Sequence, residues 1–185
     1  VNKKGYAILV EGYFDVLSLN QLGYSNSASP SGTALTIQQL EAVSRYTNKI
    51  LLCFDNDEAG LKATERVLEI KNQVSNQLEI HCLNLPEKYK DISELYEENE
   101  EIFSIILKDN LEIIEFLIDK FIESTSDKKS IFNYFVKITS NLSPLEVDVS
   151  LDLLSLKLNT AKDILKKELR FQNSEEKEDI AEKSI

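Results

Sequence analysis

Three short apolar runs, each followed by acidic side chains, constrain the fold of this chain more than any other feature. The runs are residues 6–10 (YAILV), 49–54 (KILLCF) and 78–83 (LEIHCL). The acidic residues that follow them are Glu11, Asp55, Asp57 and, after a short loop, Asp91. Each run is too short for a helix and has the length of a buried strand. The pattern therefore predicts strands that carry carboxylates beyond their carboxyl ends.

Helical segments separate these predicted strands. Periodicity and capping signals predict helices at 13–22, 37–46 and 58–71, and a weak strand signal lies at 24–29. Strands and helices in alternation are typical of an α/β fold with a mostly parallel sheet flanked by helices. Ligands of such sheets bind at the edge formed by the carboxyl ends of the strands. Gly32, in the loop SPSGTA, permits either a turn or a close approach of the backbone to a phosphate or metal site.

Carboxylates gathered at that edge would repel one another. Two like charges about 4 Å apart cost roughly 4 kcal/mol at an effective dielectric constant of about 20. A fold that brings several of them together is expected to hold a divalent cation, most naturally Mg²⁺, because carboxylate oxygens are its preferred protein ligands. The sequence therefore predicts a metal site at this edge of the sheet.

Most of these acidic residues also have a purely structural explanation, and Glu11 is the hardest to explain in that way. Asp57 precedes a predicted helix and suits its N-cap, while Asp91 and Glu94 have the spacing of a capping box. Asp15 lies within the first predicted helix and can simply face solvent. Glu11 has no capping role, because the helix begins after it. The acidic clusters are individually weak signals, and their recurrence at one topological position makes them a joint signal for a metal site.

The second half of the chain has a different character. No further strand is evident beyond residue 91, and helical periodicity recurs through a predicted small all-α bundle. The predicted helices span 111–122, 128–140, 144–157 and 161–171. We therefore predict a metal-binding α/β domain at 1–107, a helical subdomain at 108–171, and a disordered tail or linker at 172–185, where no apolar face is present.

Composition limits the classes of function. No apolar run approaches the roughly 18 residues of a membrane span, so no membrane partner is predicted. Cys53 and Cys82 lie inside predicted strands and are expected to be buried free thiols of a cytoplasmic protein, and with one histidine a zinc site has little support. The net charge of −11 predicts weak non-specific binding to nucleic-acid backbones by this segment alone.

Four segments of the chain resemble the TOPRIM domain of bacterial DnaG-type replicative primases. They are ILVEGYFDVLSL, SGTALT, FDNDEAGLKA and LPEKYKDISEL, and their order and spacing agree with the family pattern over about residues 6–96. The ordered set is far more specific than any one motif. The segments SPLEVDV and KDILKKEL are similar, less closely, to the helical subdomain that follows TOPRIM in these primases.

This resemblance implies synthesis of short RNA primers on a single-stranded DNA template, from ribonucleoside triphosphates, with Mg²⁺ or Mn²⁺ as its substitute. Matched by motif, the implied catalytic residues are Glu11, Asp55 and Asp57. The implied metal ligands are Glu11, Asp55, Asp57 and Asp91, with Asp15 and Glu94 at secondary acidic positions. Glu11 would be a general base or a metal-site carboxylate.

The chain departs from the family pattern at several points. Ile92 and Ser93 replace a proline and an aspartate, so one metal ligand is either absent or supplied elsewhere, for example by Glu94. Asn56 replaces a glycine, which is a mild change because asparagine tolerates left-handed geometry. The zinc module, the basic subdomain and the C-terminal helicase-binding domain of these primases have no counterpart here. We therefore expect a fragment with little or no priming activity of its own, and a replicative helicase as partner of the whole protein.

Two other classes of protein fit parts of the pattern. Another TOPRIM enzyme, of the topoisomerase or nuclease type, would share the acidic motifs, although a type IA topoisomerase needs a nucleophilic tyrosine in a separate large domain. A non-catalytic TOPRIM binding module would share the fold without needing every carboxylate. Nicking of supercoiled DNA would identify the first class, and absence of saturable metal binding would favour the second.

Overall fold

The computed structural model describes residues 4–30, 32–98 and 100–182. The chain divides into two compact units, the first ending at Lys120 and the second beginning at Phe121. The structural division thus lies further along the chain than the predicted boundary after residue 107. Among the described residues, no helix is long and apolar enough to cross a membrane.

A five-stranded sheet forms the centre of the first unit. Its strands are β1 (Ala7–Val10), β2 (Ser27–Ala28), β3 (Lys49–Cys53), β4 (Glu79–Cys82) and β5 (Leu111–Glu112). The strand order is β2-β1-β3-β4-β5, and every neighbouring pair is parallel except β4 with β5. The predicted fold class, a mostly parallel sheet flanked by helices, is confirmed.

The expectation of no strand beyond residue 91 is wrong, because β5 pairs antiparallel with β4. Leu111 lies opposite Cys82 and Glu112 lies opposite His81. A strand of two residues has too few positions to show alternation or an apolar run, so its sequence carries no periodic signal. It forms because β4 offers an unpaired edge.

Helices cover the sheet of the first unit. They are α1 (Tyr13–Gln21), α2 (Ile37–Ser44), α3 (Glu58–Ile70), α4 (Ile92–Glu98) and α5 (Glu100–Ile106), and α6 (Ile113–Ser124) contains the division between the units. The predicted capping box of α2 is present, with the Thr36 hydroxyl accepting from the Gln39 backbone. Gly23 follows α1 with φ of 84°, the left-handed conformation that ends helices.

The core of the first unit lies around the two central strands. All four residues of β1 are buried, as are Ile50–Cys53 of β3, so both faces of these strands are covered. Continuous apolar strands of this kind are typical of parallel sheets with helices on both sides. Cys53 and Cys82 are buried free thiols, as predicted, and burial raises the pKa of both well above the usual range.

Helices make up the second unit. They are α7 (Lys128–Thr139), α8 (Pro144–Leu158) and α9 (Lys162–Glu182), with the rings of Phe121 and Tyr134 stacked at a centroid distance of 4.1 Å. The predicted disordered tail at 172–185 differs from the structure, in which helix α9 includes residues 172–182. Glutamate, lysine and alanine are strong helix formers, and extending an existing helix needs no new nucleation. The remainder of the predicted tail, 183–185, lies outside the described residues.

Replacing Ser143 by alanine is expected to lower the free energy of unfolding of the helical unit by about 1 kcal/mol. Ser143 Oγ accepts from the Glu146 backbone at 3.3 Å, and the Glu146 carboxylate accepts from the Ser143 backbone at 2.9 Å. The substitution removes the first of these bonds at the start of α8. Urea unfolding followed by circular dichroism measures the change. Ser140→Ala, at an exposed serine, is the control and should change stability by less than about 0.5 kcal/mol.

Candidate metal centre

The ends of β1 and β3 place Glu11 beside Asp55. Val10 lies opposite Cys53 in the parallel register, so the residues that follow both strands leave the sheet at the same edge. The Glu11 carboxylate accepts a hydrogen bond from the backbone N–H of Asp55 at 3.1 Å. The prediction that these two acidic motifs meet is therefore confirmed.

The loop after β3 is tied to the loop after β4. The backbone N–H of Asn56 donates to the carbonyl of Lys90 at 2.7 Å, and the Asn56 side chain lies 3.5 Å from the carbonyls of Leu85 and Tyr89. These bonds hold the Asp55-Asn56-Asp57 turn against the segment that leads to Asp91. The second and third acidic motifs are thereby brought together, although Asn56 and Lys90 are 34 positions apart in sequence.

Asp57 is the N-cap of α3, as its structural explanation proposed. Its Oδ1 accepts from the backbone of Ala59 at 2.9 Å and of Gly60 at 3.0 Å. Its other oxygen, Oδ2, lies 3.7 Å from the ammonium group of Lys90. Capping thus uses one oxygen of this carboxylate, and the second remains available for a cation.

Asp91 caps the start of α4, but the reciprocal bond of the expected capping box joins Glu94 to Lys90 and not to Asp91. Asp91 Oδ1 accepts from the Glu94 backbone at 2.9 Å, and the Glu94 carboxylate accepts from the Lys90 backbone at 2.7 Å. Asp91 also lines the cleft at the acidic edge, whereas Glu94 is not among the residues that line it. Asp57 is likewise not among the lining residues, and it joins the edge through its contact with Lys90, which also contacts Asp55.

Asp15 does not face solvent, which corrects one of its two sequence interpretations. Only 6% of the residue is exposed. One carboxylate oxygen accepts from the Gly12 backbone at 3.1 Å. The other accepts from the backbone and the hydroxyl of Ser93 at 3.2 and 2.9 Å. Ser93, the residue that departs from the family pattern, thus joins α4 to α1 through a neutral hydroxyl where an aspartate would bring a second negative charge.

An open cleft of about 710 Å³ lies at this edge of the sheet. Its lining includes the acidic side chains Glu11, Asp15, Asp55 and Asp91 together with Gly32. Gly32 has φ of 80°, a backbone conformation that favours glycine. No atom lies within 4 Å of where its Cβ would be, so a side chain here would meet no steric clash. The apolar side of the cleft is formed by residues of α1 and α4, namely Phe14, Leu17 and Tyr96.

Burial places these carboxylates under electrostatic strain. Desolvation is the largest cause that raises the pKa of Glu11, Asp15 and Asp55 above their usual values. Neighbouring carboxylates raise the pKa of each further, and the hydrogen bonds described above lower it only in part. The ammonium group of Lys90 lowers the pKa of Asp55 without restoring it. A bound cation would relieve this strain, because it favours the ionised form of every carboxylate near it.

Substitution of Glu11 by glutamine is expected to stabilise the metal-free fold at neutral pH. The amide oxygen can still accept from the Asp55 backbone, while the charge is removed. Because the pKa of Glu11 is raised in the folded state, its ionisation opposes folding. The variant is therefore more stable than the wild type above the raised pKa of Glu11. This difference in stability disappears as the pH falls below 4.5, the ordinary pKa of a glutamate. Urea unfolding in EDTA at several pH values measures this, and an advantage independent of pH would contradict it.

The donor set fits a hard divalent cation. All the candidate ligands at this edge are carboxylates, and oxygen ligands suit Mg²⁺ or Mn²⁺ better than zinc or copper. Among the described residues, no three Asp, Glu, His or Cys side chains stand together as a preformed metal cage. The Lys90 ammonium group instead lies 3.2 Å from Asp55 Oδ2. A cation held here would therefore keep some of its water and require small side-chain movements, which is ordinary for Mg²⁺.

Three residues that shape this edge were not singled out from the sequence. They are Lys90, the cation beside Asp55; Ser93 in its role as the partner of Asp15; and Gly60, whose missing side chain lets α3 approach the Asp55 backbone. A signal existed for Lys90, because a lysine directly before an acidic motif is the nearest available counter-charge. The other two contacts depend on how distant segments pack.

Known proteins are similar to this chain in sequence and in fold. A family model described as Toprim-like matches residues 8–96. The DNA primase of Campylobacter jejuni is 36% identical over 163 residues, and that of Aquifex aeolicus is 33% identical over 141. The solved Aquifex aeolicus primase, comprising its zinc-binding and RNA polymerase domains, superposes with a TM-score of 0.68 at 28% identity.

The alignments cover most of this chain but only a small part of each relative. The alignments cover 84% and 76% of this chain, but only 26% and 28% of the Campylobacter and Aquifex primases. The structural match covers 89% of this chain and 40% of the solved Aquifex chain. The chain therefore spans about a quarter of the length of the curated relatives that it matches.

Proposed function

We propose that this chain provides the acidic metal-binding part of a primase catalytic core. The premise is its family: the chain contains a TOPRIM domain and is a homologue of the bacterial DnaG-type primases. The observation that carries this proposal is the contact between the Glu11 carboxylate and the Asp55 backbone at 3.1 Å. It brings the first and second acidic motifs to one point on the sheet edge. That position is where ligands of open α/β sheets bind.

The residues that would hold the cation are Glu11, Asp55, Asp57 and Asp91. Asp57 would contribute the oxygen that does not cap α3, and Glu11 the carboxylate that already lies beside Asp55. Asp15 supports the site indirectly, because its bonds to Gly12 and Ser93 hold α1 and α4 together. Glu94 supports it indirectly, because its carboxylate accepts from the Lys90 backbone and holds the loop before α4. We thus assign direct binding to four of the six acidic residues implied by the sequence.

The proposed chemistry is nucleotidyl transfer during RNA primer synthesis. A divalent cation, Mg²⁺ with Mn²⁺ as substitute, would activate the attacking hydroxyl and neutralise charge on the phosphates. The protein's own contribution is to fix four carboxylates at one edge and to keep them ionised when the cation is bound. Glu11, whose carboxylate already accepts from the Asp55 backbone, is placed to orient the site or to accept a proton.

The proposed partners follow from the relatives. A solved DnaG primase catalytic domain is bound to single-stranded DNA, and we propose single-stranded DNA as template here, with ribonucleoside triphosphates as substrates. The net charge of −11 means that template binding needs basic surface from elsewhere in the whole protein. A replicative helicase is the proposed partner beyond this segment.

Titration of this chain with Mn²⁺ or Mg²⁺ in an isothermal calorimeter tests the proposal. We expect saturable binding at a small whole number of sites. Glu69→Gln, which removes an exposed carboxylate paired with Arg66 on α3, is the control and should leave binding unchanged. Absence of saturable binding would favour a non-catalytic TOPRIM module. Mg²⁺-dependent nicking of supercoiled DNA would instead favour a topoisomerase or nuclease.

Priming by the isolated chain is expected to be very weak even when metal binds. The net charge of −11 disfavours binding of a polyanionic template, and nucleotide transfer needs template and substrate held in line. Primer synthesis on a single-stranded DNA template, compared with that of a complete bacterial primase, measures this. A comparable rate would mean that template binding resides in these residues.

A further inference from the structure

One cation of the protein itself lies on the acidic edge. The Lys90 ammonium group is 3.2 Å from Asp55 Oδ2 and 3.7 Å from Asp57 Oδ2, so it bridges the two aspartates of the second acidic motif. The two carboxylates belong to the same turn and repel each other. The lysine therefore neutralises the pair of side chains that the proposed function assigns to a metal.

The oxygen atoms that Lys90 contacts are those that a metal would need. Asp57 Oδ1 already accepts from two backbone N–H groups at the start of α3, which leaves Oδ2 as its free oxygen. That same Oδ2, together with Asp55 Oδ2, faces the ammonium group. A lysine nitrogen and a divalent cation are both positively charged and cannot occupy the space between these oxygens together.

The backbone of Lys90 is fixed while its side chain can leave. The Lys90 carbonyl accepts from the Asn56 backbone, and the Lys90 N–H donates to Glu94, both at 2.7 Å. The loop therefore holds its position relative to the aspartate turn. The Lys90 side chain is 54% exposed, so its ammonium group can turn to water on a flexible stem at small cost.

From these contacts we propose that Lys90 is a built-in counter-ion, which holds Asp55 and Asp57 together in the metal-free protein and is displaced when a divalent cation enters. This rests on the proposed function, since it assumes that the acidic edge binds metal. Lys90 then acts as a positioning residue. It prevents the two aspartates from separating when metal is absent, and it weakens the apparent metal affinity because the cation must replace it.

The experiment compares Mn²⁺ binding by the wild type, Lys90→Met and Lys88→Met. Lys88 is the matched control, because it lies in the same loop, is 60% exposed and pairs with Glu98 away from the aspartates. Both variants lose one positive charge from the same loop, so the change in net charge is matched. We expect Lys90→Met to bind Mn²⁺ about five- to tenfold more tightly than the wild type, and Lys88→Met to change affinity less than twofold.

A second measurement follows the ammonium group itself. Reductive methylation of lysines, read by mass spectrometry, should be slow at Lys90 in EDTA and faster when Mn²⁺ is saturating, with no change at Lys88. Equal affinities in the two variants, or unchanged methylation of Lys90 in saturating Mn²⁺, would overturn the proposal while the metal site stands. Absence of Mn²⁺ binding in all three proteins would overturn the proposed function as well.

Discussion

Replacing Asp55 by asparagine is expected to weaken Mn²⁺ binding by at least about 100-fold. Loss of groups one step removed from a bound metal costs roughly 10–100-fold in affinity, and Asp55 is proposed to contact the metal directly. It is also the residue where the first and second acidic motifs meet, through its backbone bond to Glu11. In a complete primase carrying this segment, primer synthesis should fall by about 100- to 1000-fold or more.

The fold of the Asp55→Asn variant should survive. Asparagine has nearly the shape of aspartate, and the backbone N–H that Glu11 accepts from is unchanged. In EDTA the variant should unfold at an equal or higher urea concentration than the wild type, because desolvation raises the pKa of Asp55 and its ionisation opposes folding. Calorimetry and circular dichroism on the same samples separate binding from folding. A variant that lost the fold, or that bound Mn²⁺ normally, would contradict the assignment of Asp55.

The central part of the fold was predictable because it depends on local signals. The apolar runs that became β1, β3 and β4 are buried strands whose length and composition identify them without knowledge of their neighbours. Once these strands are parallel, Glu11 and Asp55 must emerge at the same edge, so the meeting of the first two motifs follows from topology. The third motif was predictable only in part, because a loop separates Asp91 from its strand.

The contacts that complete the site depend on distant packing. Ser93 bonds to Asp15 across 78 positions of sequence, and no local pattern announces such a pair. Lys90 reaches the aspartates because Asn56 ties two loops together. The capping role and the proposed metal-binding role of Asp57 are compatible. One of its oxygens caps α3, and the other faces the Lys90 ammonium group.

At Gly60, helix propensity and packing have opposite effects on a substitution by alanine. In an unconstrained helix, replacing glycine by alanine stabilises by about 1 kcal/mol. Here a Cβ at residue 60 would lie 1.9 Å from the carbonyl oxygen of Asp55 and 3.0 Å from its nitrogen. These are backbone atoms, which cannot turn aside as a side chain can. Gly60→Ala must therefore push the start of α3 away from the Asp55 turn.

We expect Gly60→Ala to lower the free energy of unfolding by about 2–4 kcal/mol, in the range typical of forced overpacking or larger. Because the chain has no tryptophan, circular dichroism during urea unfolding is the suitable measurement. Ala63→Gly in the same helix is the control, and its loss should be about the 1 kcal/mol of helix propensity. Any folded fraction of Gly60→Ala should also bind Mn²⁺ more weakly, because the Asp55 backbone carries both the clash and the bond to Glu11. An increase in stability would mean that the turn yields easily, and the close approach of α3 would then have no role in holding the carboxylates in place.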